Sequence, residues 1–131
     1  MIEVTLDENK HNYLPGEVVR GTVEWQFERD VRAIEIRLIW KTTGKGDSDT
    51  GMVDSIVIEK PGGYRKTPFE LRFPAGPYSF SGKLISIYWR LEVVTNPTTD
   101  TVVRSLAMSP TGREIGADDW KMPQTGGYLQ Q

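Results

Sequence analysis

The stretch FPAGPYSFSGKLISIYWRLEV, residues 73–93, sets two prolines and two glycines within ten residues directly before an unbroken alternating run. In that run Ile85, Ile87, Trp89, Leu91 and Val93 occupy every second position, with Ser86, Tyr88, Arg90 and Glu92 between them. A step of two places each set on one face of a strand. The β-branched and aromatic residues in it suit a pleated, half-buried surface. The segment before it is turn chemistry, because proline presets φ and glycine takes conformations other residues avoid. The stretch therefore predicts a rigid crossing that feeds a long central strand starting at Lys83. A slip of one residue would bury Arg90 and Glu92 and expose the whole apolar set, so the register is strongly specified.

The same period runs outward in both directions. Ile2, Val4 and Leu6 alternate, as do Val19, Gly21, Val23, Trp25 and Phe27, and then Ile34, Ile36, Leu38 and Trp40. Ile56 and Ile58 follow, then Phe69, Leu71 and Phe73, and finally Val102, Arg104, Leu106 and Met108. Turn segments separate the runs: LPGE, KTTGKGDSDTG, EKPGGYRK and TNPTTD. No helical period of useful length occurs, and there are no internal repeats. Short strands punctuated this way predict an all-β fold, an antiparallel two-sheet β-sandwich of the immunoglobulin-like kind. Trp25, Trp40 and Trp89 fall on the inward faces, in the core or at its rim. The sandwich is expected over residues 1–108. Residues 109–131 lose the alternation and are rich in Gly, Pro and Gln, so they read as a C-terminal tail, either anchored by Trp120 and Tyr128 or mobile.

At 131 residues the chain fits one domain and buries enough surface to need no covalent staples. The net charge of −2 and the scattered basic residues give no field for nucleic acid or an acidic membrane surface. There is no cysteine, which excludes disulfides, thiolate metal sites and a cysteine nucleophile together and points to a reducing compartment. The opening MIEVTLDENK carries no secretory signal pattern, and no apolar run approaches the ~18 residues of a membrane span. The expectation is a cytoplasmic domain with no membrane insertion.

Catalytic chemistry finds little support. His11, the one histidine, sits in ENKHNYLPGE, which reads as a loop, and no serine carries a nucleophile-elbow pattern. Neither the P-loop nor the dinucleotide glycine pattern occurs. The strongest metal candidate is Asp47, Asp49 and Asp54 in GKGDSDTGMVD, whose first two aspartates resemble the start of a calcium loop. The pattern then breaks: Met52 stands where glycine is needed and Ile58 where the bidentate glutamate belongs. A polar hairpin whose aspartates accept backbone N–H bonds accounts for the same residues, so no metal and no cofactor is expected. Trp89 and Arg90 are adjacent, so on a strand they face opposite ways and form no nucleic-acid stacking platform.

Three blocks, in order, resemble the arrestin-like fold family. YLPGEVVRGTVEW, residues 13–25, is similar to the family's opening, a Tyr-x-Pro-Gly-Glu turn followed by a Val-x-Gly-x-Val strand. IEIRLIWKTTGKGDSDTG, residues 34–51, is similar to its third strand and long hairpin. TPFELRFPAGPYSFSGKLISIYWRLEV, residues 67–93, resembles its strand ending in Phe-Pro, the Pro-x-Ser-Phe-x-Gly crossing and the long central strand. The resemblance implies that the crossing passes from one end of the sandwich to the other, with Tyr78 and Phe80 plugging the core end. It also implies a single arrestin-like domain, akin to bacterial sporulation-control proteins and non-enzymatic. The lysine pair that senses phosphate on an arrestin's first strand is missing here, since IEVTLDENK offers only Lys10.

The function expected is a protein-binding adaptor. Its partner surface is the outer face around the central strand: Leu84, Tyr88 and Arg90, with Ile39 outward on the neighbouring strand. Tyr and Arg are the residue types that carry interface energy. The first strand, Ile2–Leu6, is expected at a sheet edge, where an extended peptide or a second copy of the chain would add. The rival is a carbohydrate- or small-molecule-binding sandwich, with calcium at Asp47 and Asp49 as a candidate aid; a hydrolase built on unmarked carboxylates stands further back.

Overall fold

The computed structural model describes residues 1–44, 49–82, 84–112 and 115–116, the last two by their backbone. Strands β1 (Ile2–Leu6), β3 (Val18–Gln26) and β6 (Tyr64–Arg72) form a three-stranded antiparallel sheet in the order β1-β3-β6. A larger sheet is centred on β4 (Ala33–Gly44) and β8 (Ile85–Asn96), which pair over their full lengths, Ala33 opposite Asn96 and Gly44 opposite Ile85. β5 (Thr50–Glu59) lies outside β4. On the far side of β8, β7 (Phe80–Ser81) and β9 (Thr101–Met108) share one edge, β7 at the start of β8 and β9 at its end. Two short parallel pairings complete it: β2 (Asn12–Tyr13) on β9, and β10 (Ile115–Gly116) on β7. The two sheets pack face to face, as the alternating runs predict.

The core is the meeting of the inward sets. Val4, Leu6, Val19, Val23, Trp25, Phe69 and Leu71 come from the smaller sheet, and Ile34, Ile36, Leu38, Trp89, Leu91, Val93, Leu106 and Met108 from the larger. Gly21 is the one small member of the inward row, and the space is used: a Cβ there would stand 2.9 Å from the ring of Phe69 and 2.5 Å from the carbonyl oxygen of Thr5. The three tryptophans sit as expected. Trp25 and Trp89 are fully buried and Trp40 lies half-buried at the rim, its indole against Gly51 of β5. Each buried indole has an acceptor, Trp25 donating to the Pro61 carbonyl at 3.2 Å and Trp89 to that of Pro77 at 2.7 Å. An unpaired buried indole N–H would be costly, so these two proline carbonyls fix how each ring is turned.

The proline-rich crossing carries the chain from β6 in the smaller sheet to β8 in the larger. Its job is to close one end of the core, but with different residues from those expected. Phe73 is buried where β6 ends, its ring 5.2 Å from Tyr13 and 5.0 Å, edge-on, from Trp89. Tyr78 is 41% exposed and Phe80 half-buried, so neither is the plug. With Phe73 already filling that end, the intervening Ser79 turns inward. Its N–H donates to the Met108 carbonyl at 2.7 Å and its Oγ accepts from the Met108 N–H at 2.9 Å.

The inward register of β8 holds at Trp89, Leu91 and Val93, while Ile87 is half-buried and Ile85 is 48% exposed. Ile85 pairs with Gly44, at the end of β4 beside the hairpin. There the β4–β8 ribbon has left the core, so the alternation continues with nothing for Ile85 to bury against.

Candidate interaction surface

The outer face of the larger sheet carries a connected charged spine. On β4 the Arg37 Nε donates to Glu35 Oε1 at 2.7 Å; Arg37 Nη1 lies 3.7 Å from Glu92 Oε1 on β8, and Arg90 Nη2 lies 2.5 Å from Glu92 Oε2. Glu92 is almost buried between the two arginines, and among the described residues the buried Nε of Arg90 has no hydrogen-bond partner. Tyr88 is half-buried beside this spine, opposite Lys41. Apolar side chains border it: Val57 on β5 and Val103 on β9 are exposed, and Val94 is half-buried.

Of the four residues expected to form a partner surface, three share one face and Leu84 does not. Tyr88 and Arg90 lie on one face, two apart on β8, as expected. Ile39 also points to this face, between its register partners Arg90 and Met52, but is only 4% exposed and belongs to no part of the core between the sheets. Long side chains in such flanking positions cover a neighbour with their apolar stems. Ile39 therefore supports the face from beneath and is not a contact residue. Leu84 precedes β8; it is 74% exposed at a bend, beyond the strand whose face it was expected to share. Its carbonyl oxygen packs so close to Gly44 that a Cβ on that glycine would lie 2.4 Å away.

The Tyr-x-Pro-Gly-Glu segment makes a second cluster at the end of the sandwich. Leu14–Glu17 is a tight turn closed by Glu17 N–H to the Leu14 carbonyl at 3.0 Å, with Gly16 at φ +79° where a side chain would be strained. The Glu17 carboxylate accepts from the Leu14 N–H at 2.8 Å through Oε1 and pairs with Lys10 through Oε2. Burial alone would raise the pKa of Glu17; the hydrogen bonds from Lys10 and Leu14, with the lysine's charge, outweigh it and hold the value below the ordinary glutamate range. Tyr13, whose hydroxyl donates to the Lys10 carbonyl at 2.9 Å, is pushed up to about 12, by burial first and then by the charges of Glu17 and Asp7. His11 adjoins this cluster. Its carbonyl accepts from Ala107 at 2.9 Å and its Nδ1 lies 3.3 Å from the Ser105 carbonyl, so it helps fasten β2 to β9.

Of the three aspartates weighed as metal ligands, Asp47 lies outside the described residues. Asp49 pairs with Thr42 at the mouth of the hairpin, its N–H donating to Thr42 Oγ1 at 2.8 Å. Asp54 turns the other way. Its Oδ1 accepts from the Ser55 N–H at 2.9 Å and its Oδ2 from the Arg72 N–H on β6 at 3.4 Å, so one carboxylate bridges the open edges of both sheets. Sequence reasoning missed this role because it depends on a neighbour 18 residues away. It also missed Arg104. β1 does lie at an edge, as expected, but Arg104 on β9 reaches across to donate to the Val4 carbonyl at 3.4 Å. Inward-pointing charge of this kind blunts a free edge.

No family model matches the sequence, and no curated protein matches it. Among solved structures, the sporulation control protein Spo0M from Bacillus subtilis superposes with a TM-score of 0.58 at 20% identity, covering 82% of this chain and 48% of that one. The fold is arrestin-like. A β-glucosidase from Listeria innocua matches less well, with a TM-score of 0.44 and 13% identity over 88% of this chain and 16% of its own. The chain thus spans about half the length of the Spo0M chain. The three sequence blocks lie on consecutive elements of the sandwich, with residues 45–48 of the second and Lys83 of the third outside the described residues. The first covers β2, the Leu14–Glu17 turn and most of β3; the second covers β4 and its hairpin; the third runs through β6, the crossing and β8. Among the described residues no helix is long and apolar enough to cross a membrane.

Proposed function

We propose that this chain is a non-enzymatic, cytoplasmic protein-binding adaptor of the arrestin-like class. Its partner engages the outer face of the larger sheet at Tyr88 and Arg90. The observation that carries this reading is the state of Arg90: a guanidinium drawn into the Glu35–Arg37–Glu92 spine, with one buried donor unused, beside a half-buried tyrosine and bordered by exposed valines. Interfaces concentrate their energy in such aromatic and arginine anchors surrounded by groups that exclude water. The spine also fixes the anchors before binding, which lowers the ordering cost on association. The likeness to the sporulation control protein Spo0M supports a regulatory rather than a catalytic role.

The test is retention from native lysate by the immobilised chain, compared with a Tyr88→Ala, Arg90→Ala double variant whose melting curve is checked first. The reading predicts at least one protein held by the wild type and lost by the variant. Retention of the same set by both would refute it.

A further inference from the structure

Among the described residues, three of the long strands end a sheet with one side unpaired, β1 and β6 in the smaller sheet and β5 in the larger, besides the two-residue strands β2 and β10. Two of these edges are blunted. On β1 the Arg104 guanidinium occupies the Val4 carbonyl. On β6, Pro68 lacks a donor and the Arg72 N–H is taken by Asp54. The first half of β5 is broken by a register shift at Val53, opposite Leu38 and Ile39. The second half, Ser55–Glu59, carries no proline and no register shift, and among the described residues the one side chain on its outward groups is the adjacent Asp54 carboxylate, which holds the Ser55 N–H at 2.9 Å. Its backbone phase follows from one bond, Lys60 N–H to the Arg32 carbonyl at 2.9 Å. Bonded pairs alternate in an antiparallel ladder, so the even-numbered residues Ile56 and Ile58 bond to β4. The peptide groups of Ser55, Val57 and Glu59 point away from it, and the Val57 side chain is 55% exposed on the outer face.

We propose that Ser55–Glu59 is a self-association edge, on which a second copy of this chain lays its own β5 antiparallel about a two-fold axis at Val57. That register sets Val57 against Val57, Ser55 against Glu59 and Ile56 against Ile58, and brings Asp54 towards Lys60, which follows the strand's last residue at φ +51°. All the outward peptide groups then meet in phase, apolar residues face apolar ones, and a carboxylate comes near an ammonium just beyond the paired strand at both ends. The neighbouring two-fold registers lack this match. A centre at Ser55 sets Asp54 against Ile56, and a centre at Ile56 sets Asp54 against Ile58. The Ser55 N–H, held by Asp54 in the single copy, passes to the Glu59 carbonyl of the second copy, which frees the carboxylate for Lys60. The interface is isologous, so it closes at two copies and joins the two larger sheets into one.

Sedimentation of the purified chain over a concentration series up to about 1 mM, a range that detects even weak association, reads the proposal directly. A monomer–dimer equilibrium is expected. Val57→Pro removes only an outward donor, so it should abolish the dimer and leave the melting temperature of the monomer within a few degrees. Lys60→Glu should weaken dimerisation about tenfold, two symmetry-related exposed pairs each contributing about threefold, and Asp54→Lys together with Lys60→Glu should restore it. Because the chain has no cysteine, Val57→Cys should oxidise to a covalent dimer at least about tenfold faster than Val103→Cys, the separation of a symmetric pair lying within disulfide reach. A wild type that stays monomeric throughout, a dimer that survives Val57→Pro, or equal oxidation at positions 57 and 103 would each overturn the proposal. The monomeric result would leave this edge to a strand of some other protein.

Discussion

Replacing Trp89 with alanine tests the register on which the whole sandwich depends. The indole is fully buried, meets Phe73 edge-on at 5.0 Å and donates to the Pro77 carbonyl at 2.7 Å. Truncating a buried aromatic of this size costs about 3–5 kcal/mol, the lost transfer energy together with the cavity left behind. Trp89→Phe separates the parts. It keeps a ring near Phe73 but leaves the Pro77 carbonyl without its donor, a loss of about 1–3 kcal/mol. A domain of this size has roughly 5–15 kcal/mol in all, so both variants should fold and melt cooperatively. Urea melts followed by near-ultraviolet circular dichroism measure the two losses, with Tyr88→Ala as the comparison on the opposite face. The order expected is alanine at 89 worst, phenylalanine intermediate, alanine at 88 mildest. A loss under about 1 kcal/mol for Trp89→Ala would refute the inward register of β8 and with it the assignment of the core.

Gly51→Ala should destabilise by about 1–3 kcal/mol, because the new methyl would stand 2.3 Å from the Trp40 indole and force it off the rim; a silent substitution in thermal melts would contradict that packing. Glu17 has a folded pKa below the ordinary 4.5, so the stability it contributes is present above that value and lost as pH falls through the lowered one. Melting temperatures of wild type and Glu17→Gln should therefore differ most near neutrality and converge in acid, and a gap that widened below pH 4.5 would contradict the Lys10–Glu17 pairing. Tyr13 has the opposite sign. Its pKa rises from 10.0 to about 12, so its contribution is whole below 10 and is lost as pH climbs towards 12, which spectrophotometric titration of wild type against Tyr13→Phe would show as one late-ionising phenol.

What the sequence made legible follows from the range of each signal. Alternation is local, and a strand buried on one face must repeat every second residue, so β1, β3, β4, β6 and β8 and the placement of all three tryptophans were readable without coordinates. Arg104 was readable as an inward member of the β9 set, although its purpose was not. That purpose is a bond to Val4, 100 residues away. Ile39 shows the limit of alternation: it tells which face a residue is on, while exposure depends on what Arg90 and Met52 do across the ladder. The plug failed for a related reason. Tyr78 and Phe80 had the right spacing, but Phe73 reached the end of the core first, and only the three-dimensional path of the chain decides that. At the candidate surface, Tyr88 and Arg90 were legible as a pair on one face. The Glu35–Arg37–Glu92 spine that holds Arg90 joins two strands more than 50 residues apart, so no local pattern announces it.

The central claim is that the outer face of the larger sheet meets a protein partner. A photo-crosslinking amino acid placed at Val103, exposed on that face, and in a separate variant at Arg20, exposed on the smaller sheet, tests it in the native cell. The account predicts discrete protein adducts from position 103 and none from position 20. Adducts of equal yield from both positions, or from position 20 alone, would contradict it.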